Sequence, residues 1–228
     1  MEDRKTENEK KLFVTRFTAW SPGMTCPEDW REWADGKRAL RISRESPELS
    51  FTDPRFRRRL SQVSRMTIQV LRDLTPIGED TKIVFLSFWG ELTSQFRINE
   101  MLITEGEISP SAFPVSVFNT PPAAASIALN ITAGYTAVYP CFGGFSDGFT
   151  AGAASVLCGD AGETVMVYAD ELCPPAYEGL CEVEPLAFGF RVSRFPEGLA
   201  IPVAVTPGPS AELATPQSFL RYLLSAEN

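Results

Sequence analysis

The stretch Lys82-Ile-Val-Phe-Leu-Ser-Phe88 constrains this chain more than any other. A short, unbroken apolar run has no polar face to give to water, so as a strand it must be buried on both sides. Helices must therefore cover both faces of its sheet, and the surrounding sequence supplies them. Between Arg55 and Leu74, the residues Leu60, Val63, Val70, Leu71 and Leu74 fall on one helical stripe with arginines elsewhere, which predicts an amphipathic helix. Glu91 to Thr104 and Thr120 to Ile131 read as two more. In the latter, Pro121 and Pro122 are tolerated because amides of a first turn have no intrahelical acceptor.

Downstream, a strand is expected at Thr136 to Tyr139, a helix at Phe149 to Leu157 and a strand at Thr164 to Ala169. The alternation of strand and helix favours an α/β layered domain, a central sheet covered by helices with right-handed crossovers. Leu12 to Trp20 has strand character and ends at Ser21-Pro22-Gly23, and Pro27 to Lys37, with Trp30 and Trp33 three apart, reads as a short helix. Near the other end, Leu186 to Val192 and Leu199 to Val205 look like strands joined by a turn at Pro196-Glu197-Gly198, before a helix at Pro216 to Leu224. Residues 1–10 form a charged tail, and 11–228 are read as a single domain.

There is no histidine among the 228 residues, which closes the Ser-His-Asp triad, the Cys-His pair and imidazole metal ligation. The net charge of -8 argues against nonspecific nucleic-acid binding. Five widely spaced cysteines, Cys26, Cys141, Cys158, Cys173 and Cys181, include no Cys-x-x-Cys pair, so buried free thiols are expected rather than a disulfide framework or zinc site. The polar N-terminus lacks a signal-peptide core, and Pro121 to Phe145 is broken by Asn130, Thr132, Tyr135 and Pro140. A cytoplasmic protein without a membrane span is therefore expected. No phosphate-binding glycine fingerprint follows a strand, so neither a nucleotide nor another cofactor is indicated. Asp170 and Glu171 close a core strand, where they read as a solvated end. Neighbours on a strand point to opposite faces, so they cannot act as one acid–base pair.

The segment Thr136 to Leu157 runs as a strand, a sharp turn of small residues at Tyr139-Pro-Cys-Phe-Gly-Gly-Phe145, and a helix of small side chains. Such a turn presents a group at a buried helix N-terminus, where amides stabilise a thiolate or an oxyanion. Cys141 is thus a candidate thioester nucleophile for a stand-alone acyl-transfer enzyme, although a buried structural thiol is the plainer use.

With Asn119-Thr-Pro-Pro-Ala-Ala-Ala-Ser126 before the turn and Val165-Met-Val-Tyr-Ala-Asp-Glu171 after it, the chain resembles the N-terminal half of a β-ketoacyl synthase of the thiolase superfamily from about Leu12 to Val205. The resemblance implies a thiolase-like α/β/α half with a mixed sheet. It places Gly143 at or near the nucleophile position, two residues beyond Cys141, and assigns the two catalytic histidines to a C-terminal half. A short, histidine-free chain of this kind is similar to chain-length-factor-like subunits, especially those of aryl polyene clusters. That implies a non-catalytic partner of a full-length ketosynthase, with substrates carried on the phosphopantetheine of an acyl carrier protein. By the same resemblance, Phe88 and Trp89 are tunnel-gating candidates, and Phe118, Phe142 and Phe145 lie near the dimer interface and elbow. Arg57, Arg58 and Arg59 are candidates for carrier-protein docking.

Overall fold

A computed structural model describes residues 10–140, 144–181, 183–205 and 210–227. Among the described residues, six strands form one sheet: β1 (Lys10–Trp20), β2 (Ile83–Leu86), β3 (Tyr135–Val138), β4 (Glu163–Asp170), β5 (Leu186–Ser193) and β6 (Ile201–Val205). They lie in the order β3-β2-β4-β5-β1-β6. β2 runs parallel to both β3 and β4, while β4 with β5, β5 with β1, and β1 with β6 are antiparallel. The sheet is mixed, as a thiolase-like half requires. β5 and β6 are not neighbours as the turn between them suggested, because β1 lies between them. A register shift in β1 around Thr15 frees that residue's carbonyl to accept the Leu199 amide (3.4 Å) where the connecting segment passes.

Among the described residues eight α-helices accompany the sheet: α1 (Pro27–Ala34), α2 (Pro54–Arg57), α3 (Gln62–Asp73), α4 (Leu92–Glu105), α5 (Thr120–Leu129), α6 (Phe145–Gly152), α7 (Ala154–Cys158) and α8 (Pro216–Ala226). The period of two along the strands sorts the core into two clusters. Ile83 and Phe85 of β2, with Val165 and Val167 of β4, face the α3 side, where Val63, Met66, Val70 and Leu71 meet them. Val84 and Leu86, with Met166 and Tyr168, face the side covered by α6, α7 and α8. There Phe219 of α8 touches Phe145, Phe149, Phe188 and Phe190, with ring centroids 5.1–6.2 Å apart.

Small residues in α6 permit its close approach to the strands. A Cβ at Gly152 would sit 2.5 Å from the Met166 methyl and 3.0 Å from Val84, and one at Gly148 would meet the Pro140 ring at 3.0 Å. The expected helix at Phe149 to Leu157 in fact begins at Phe145 and divides at Ala153 into α6 and α7. The expected amphipathic helix from Arg55 to Leu74 is likewise two helices. Asp53 caps α2 through the Arg55 and Phe56 amides, and Ser61 starts α3 afresh by accepting the Ser64 amide (3.1 Å). Val63, Val70, Leu71 and Leu74 keep their stripe and are fully buried.

Candidate functional site

The parallel strands β2 and β4 end side by side, and the chain leaves β2 in the turn Ser87-Phe88-Trp89-Gly90. Asp170, the last residue of β4 and wholly buried, grips that turn. Its Oδ1 accepts the Ser87 hydroxyl (2.5 Å) and the Trp89 amide (3.0 Å), while its Oδ2 accepts the Phe88 amide (3.0 Å) and the Tyr168 hydroxyl (2.8 Å). The Ser87 hydroxyl in turn accepts the Gly90 amide (2.6 Å). Three successive amides thus point at one carboxyl and its serine. Burial pushes the Asp170 carboxyl up from the usual range and these hydrogen bonds oppose it, while burial and Asp170 raise the Tyr168 hydroxyl well above its ordinary value. Gly90 adopts φ +54°, and a side chain there would strike the Phe118 ring at 2.5 Å.

One residue further on, Glu171 turns to α3, and its Oε2 accepts the Val63 amide (2.9 Å) at that helix's N-terminus. Its Oε1 accepts no hydrogen bond although Glu171 is buried. Glu91, also buried, precedes α4 and accepts from three serines: Ser61 (2.7 Å) and Ser64 (2.5 Å) on Oε1, and Ser94 (2.8 Å) on Oε2. Burial raises Glu91 to about 7, and the charge of Glu171 pushes the same way. Burial raises Glu171 as well. Asp170 and Glu171 are the residues that sequence reasoning placed wrongly, as a solvated strand end, and Glu91 is one it did not single out. They are sealed, and a general base must reach a substrate proton. Their work is to fasten β2, β4, α3 and α4 to one another.

The aromatic candidates separate. Phe88 and Phe145 meet on one face of the sheet, each edge-on to Tyr168 at 6.3 and 6.0 Å. Phe118 lies across the sheet against Phe85 (6.1 Å), so it does not join Phe88 and Phe145. Trp89 is 38% exposed. Cys141, Phe142 and Gly143 lie outside the described residues, as do residues 1–9 of the expected tail. Among the arginines, Arg57 donates to the Leu49 (3.1 Å) and Thr52 (3.5 Å) carbonyls and is half-buried, whereas Arg58 is exposed. Arg59 donates to the Ser111 carbonyl (3.3 Å) and stands beside an apolar groove of about 470 Å³ lined by Phe56, Leu60, Pro114, Val115, Ala124 and Ile127.

The thiols differ from the expectation of five buried free cysteines. Cys173 and Cys181 are bonded to each other, with Cα atoms 6.3 Å apart, and Cys26 and Cys158 are exposed. The bonded segment lies over α4, with Tyr177 edge-on to Phe96 at 5.7 Å, and Arg44 donates to the Cys173 carbonyl (2.9 Å). The two cysteines stand eight positions apart, a spacing that is no motif.

Residues 30–217 match the family described as β-ketoacyl synthase, N-terminal domain. The chain belongs to that family. Among curated proteins, none matches it significantly in sequence. Solved structures share the ketosynthase fold at low identity. The ketosynthase ApeO in complex with its chain length factor ApeC from Xenorhabdus doucetiae gives a TM-score of 0.65 at 22% identity, covering 80% of this chain and 79% of that one. Near-equal shares mean that the matched chain is about as long as this one. The ishigamide ketosynthase/chain length factor gives 0.64 at 14% identity, and this chain's match spans 80% of its own length and 62% of that chain. A type II polyketide ketosynthase bound to a hexaketide, in complex with its acyl carrier protein, gives 0.58 at 13% identity, over 81% of this chain and 63% of that chain. Set in this ketosynthase fold, the Phe88–Trp89 turn and the Asp170 clasp lie at the carboxyl ends of parallel strands, where open α/β sheets carry their ligand sites. No helix among the described residues is long and apolar enough to cross a membrane.

Proposed function

We propose that this chain is a non-catalytic, chain-length-factor-like subunit that pairs with a full-length ketosynthase and shapes its acyl tunnel, in aryl polyene or related type II polyketide synthesis. The observation that carries this reading is the state of the β3 side of the molecule. Among the described residues β3 hydrogen-bonds to β2 alone, leaving an open strand edge, as β6 does at the other end of the sheet. Trp89, Leu102, Ile103, Phe113, Ile127 and Tyr139, which lie between β2 and the residue that follows β3, are six of the exposed large hydrophobics among the described residues. An open edge with apolar neighbours is a template for another chain, and soluble proteins cover such surfaces. The match to a complex of ketosynthase and chain length factor, by a chain of about this length, supports a ketosynthase as the cover.

In this reading Phe88 and Trp89 limit the tunnel, and substrates arrive on the phosphopantetheine of an acyl carrier protein, with no cofactor of the subunit's own. Arg58 is the foremost docking candidate for that acidic partner, since Arg57 and Arg59 donate to backbone carbonyls. We place the subunit in the cytoplasm beside its carrier protein. The Cys173–Cys181 bond is the observation that bears against a reducing compartment.

Co-expression with a full-length ketosynthase from the same source tests the proposal. A stable complex is expected, together with loss or redistribution of products when the subunit is withheld. A chain that purifies alone, beside a ketosynthase that elongates normally, overturns it. Mass spectrometry after exposure to acyl carrier protein adds a second check, because acylation lost in Cys141→Ser would mark the chain as an acyl-transfer enzyme instead.

A further inference from the structure

We propose that Asp170, acting with Ser87, is a positioning residue that holds Trp89 and Phe88 in place and thereby determines the product length the subunit enforces. The inference rests on the gating role just proposed for those two aromatics and names what fixes them.

Exposed aromatic side chains on a turn move with that turn, and a turn is only as fixed as its backbone hydrogen bonds. Here the backbone is over-determined. The amides of Phe88 and Trp89 end on the two oxygens of one fully buried carboxyl, and the Gly90 amide ends on the serine that the same carboxyl binds. The fourth hydrogen bond of Asp170 comes from Tyr168, whose ring is the surface against which Phe88 rests at 6.3 Å. A single side chain thus sets both the backbone and one wall of the aromatic step. Gly90 packs so closely on Phe118 that a slack turn has no room to re-form with the same path. Loss of the clasp must displace Trp89, which is partly exposed and has the least packing to hold it.

Substitutions around the clasp separate positioning from folding. Asp170→Asn places an amide NH2 against backbone donors, and Ser87→Ala removes only the hydroxyl that joins Gly90 to the carboxyl. Tyr168→Phe deletes a donor to Asp170 without touching the turn's own amides. The full chain, labelled with 5-fluorotryptophan, should show four fluorine signals, from Trp20, Trp30, Trp33 and Trp89, with Trp89 assigned from Trp89→Phe. Ser87→Ala and Asp170→Asn should shift or broaden the Trp89 signal and leave the other three in place, and Tyr168→Phe should move none. In the complex with the ketosynthase, Ser87→Ala should change the ratio of longer to shorter products in the same direction as Trp89→Ala, by about tenfold, the scale of a lost methylene contact in a specificity pocket. If Asp170→Asn fails to fold, Ser87→Ala carries the test. Should Trp89→Ala alter product lengths while Ser87→Ala leaves either the Trp89 signal or the products unchanged, the positioning inference falls and the gating role stands. Should Trp89→Ala itself leave product lengths unchanged, the gating role falls and takes the inference with it.

Discussion

The two ends of the sheet are finished differently. On the β5–β1 side, the face opposite α3 is closed from within: Phe219, Leu220 and Leu223 of α8 are fully buried against Phe145, Phe149, Phe188 and Phe190. Towards β3, α5 leaves Ile127 72% exposed, and α4, in the same β2–β3 connection, leaves Ile103 83% exposed. α8 supplies the cover for the first of these faces from within the chain. What remains for a partner is an edge and a helix surface, so folding and association become separable. The most forceful way to break this contrast is Phe219→Ala. An aromatic core truncation costs about 3–5 kcal/mol, and urea unfolding of the isolated chain should show a loss of that size. A much smaller loss would mean that α8 is not the closing element and that stability comes from elsewhere.

The elements of this architecture were legible, and their joints were not. The apolar run at Lys82 to Phe88 and the proline-led helix at Thr120 each carry a local signature of period or capping and stand where they were read, while the small-residue helix read at Phe149 to Leu157 starts four residues earlier and divides in two. The break between α2 and α3 also had its signals, Asp53-Pro54 and Ser61, but the continuous stripe from Leu60 to Leu74 outweighed them. Asp170 and Glu171 were misread because charged residues at strand ends are ordinarily solvated. Their partners lie 81–83 residues away for the Ser87 turn and 108 for Val63, so no local pattern could announce them. The serines that cage Glu91 were equally silent, since Ser61 and Ser64 meet it only when α3 and α4 start side by side.

That cage sits between the closed and the open end, and pH probes it. Burial raises Glu91 from 4.5 to about 7, so the folded chain holds its proton where the unfolded chain has released it. The stability lent by the protonated form is intact below pH 4.5 and declines as pH rises towards about 7. A shift of this size corresponds to at most about 3 kcal/mol, with Glu171 and Asp170, also raised by burial, acting in the same direction. Glu91→Gln keeps an acceptor for Ser61 and Ser64 without a charge to bury. Its unfolding free energy should be flatter across this window and higher than that of the parent at pH 8. An equal slope in both proteins would place the buried proton elsewhere.

The open end is tested by a variant that should leave folding alone. Ile103→Ser with Ile127→Ser removes two exposed side chains, so the stability of the isolated chain should change by no more than about 0.5 kcal/mol per site. Affinity for the ketosynthase, measured by titration calorimetry, should fall at least about tenfold, or 1.4 kcal/mol, if these residues are anchors. The opposite pattern, unfolding without loss of affinity, would make the exposed helix surface part of the fold and erase the contrast between the two ends.

The finest distinction lies within the arginine run beside the groove. Arg57 holds the Leu49 and Thr52 carbonyls and receives at its own carbonyl a bond from Arg65 (2.7 Å), so it stitches the segment before α3. Arg58 is exposed, one residue further on. Arg57→Ala should therefore lower stability by about 1–2 kcal/mol through its lost backbone contacts, with little specific effect on carrier-protein binding. Arg58→Ala should leave stability unchanged and weaken capture of an acidic carrier protein by a few-fold, the scale of one exposed ion pair of about 0.2–1 kcal/mol. Because salt screens exposed charges, that few-fold difference should disappear as ionic strength rises towards 1 M, where the Debye length is about 3 Å. An Arg58 effect that persists in high salt would indicate a desolvated contact, and the groove beside Arg59 would then belong to the carrier protein rather than to the ketosynthase.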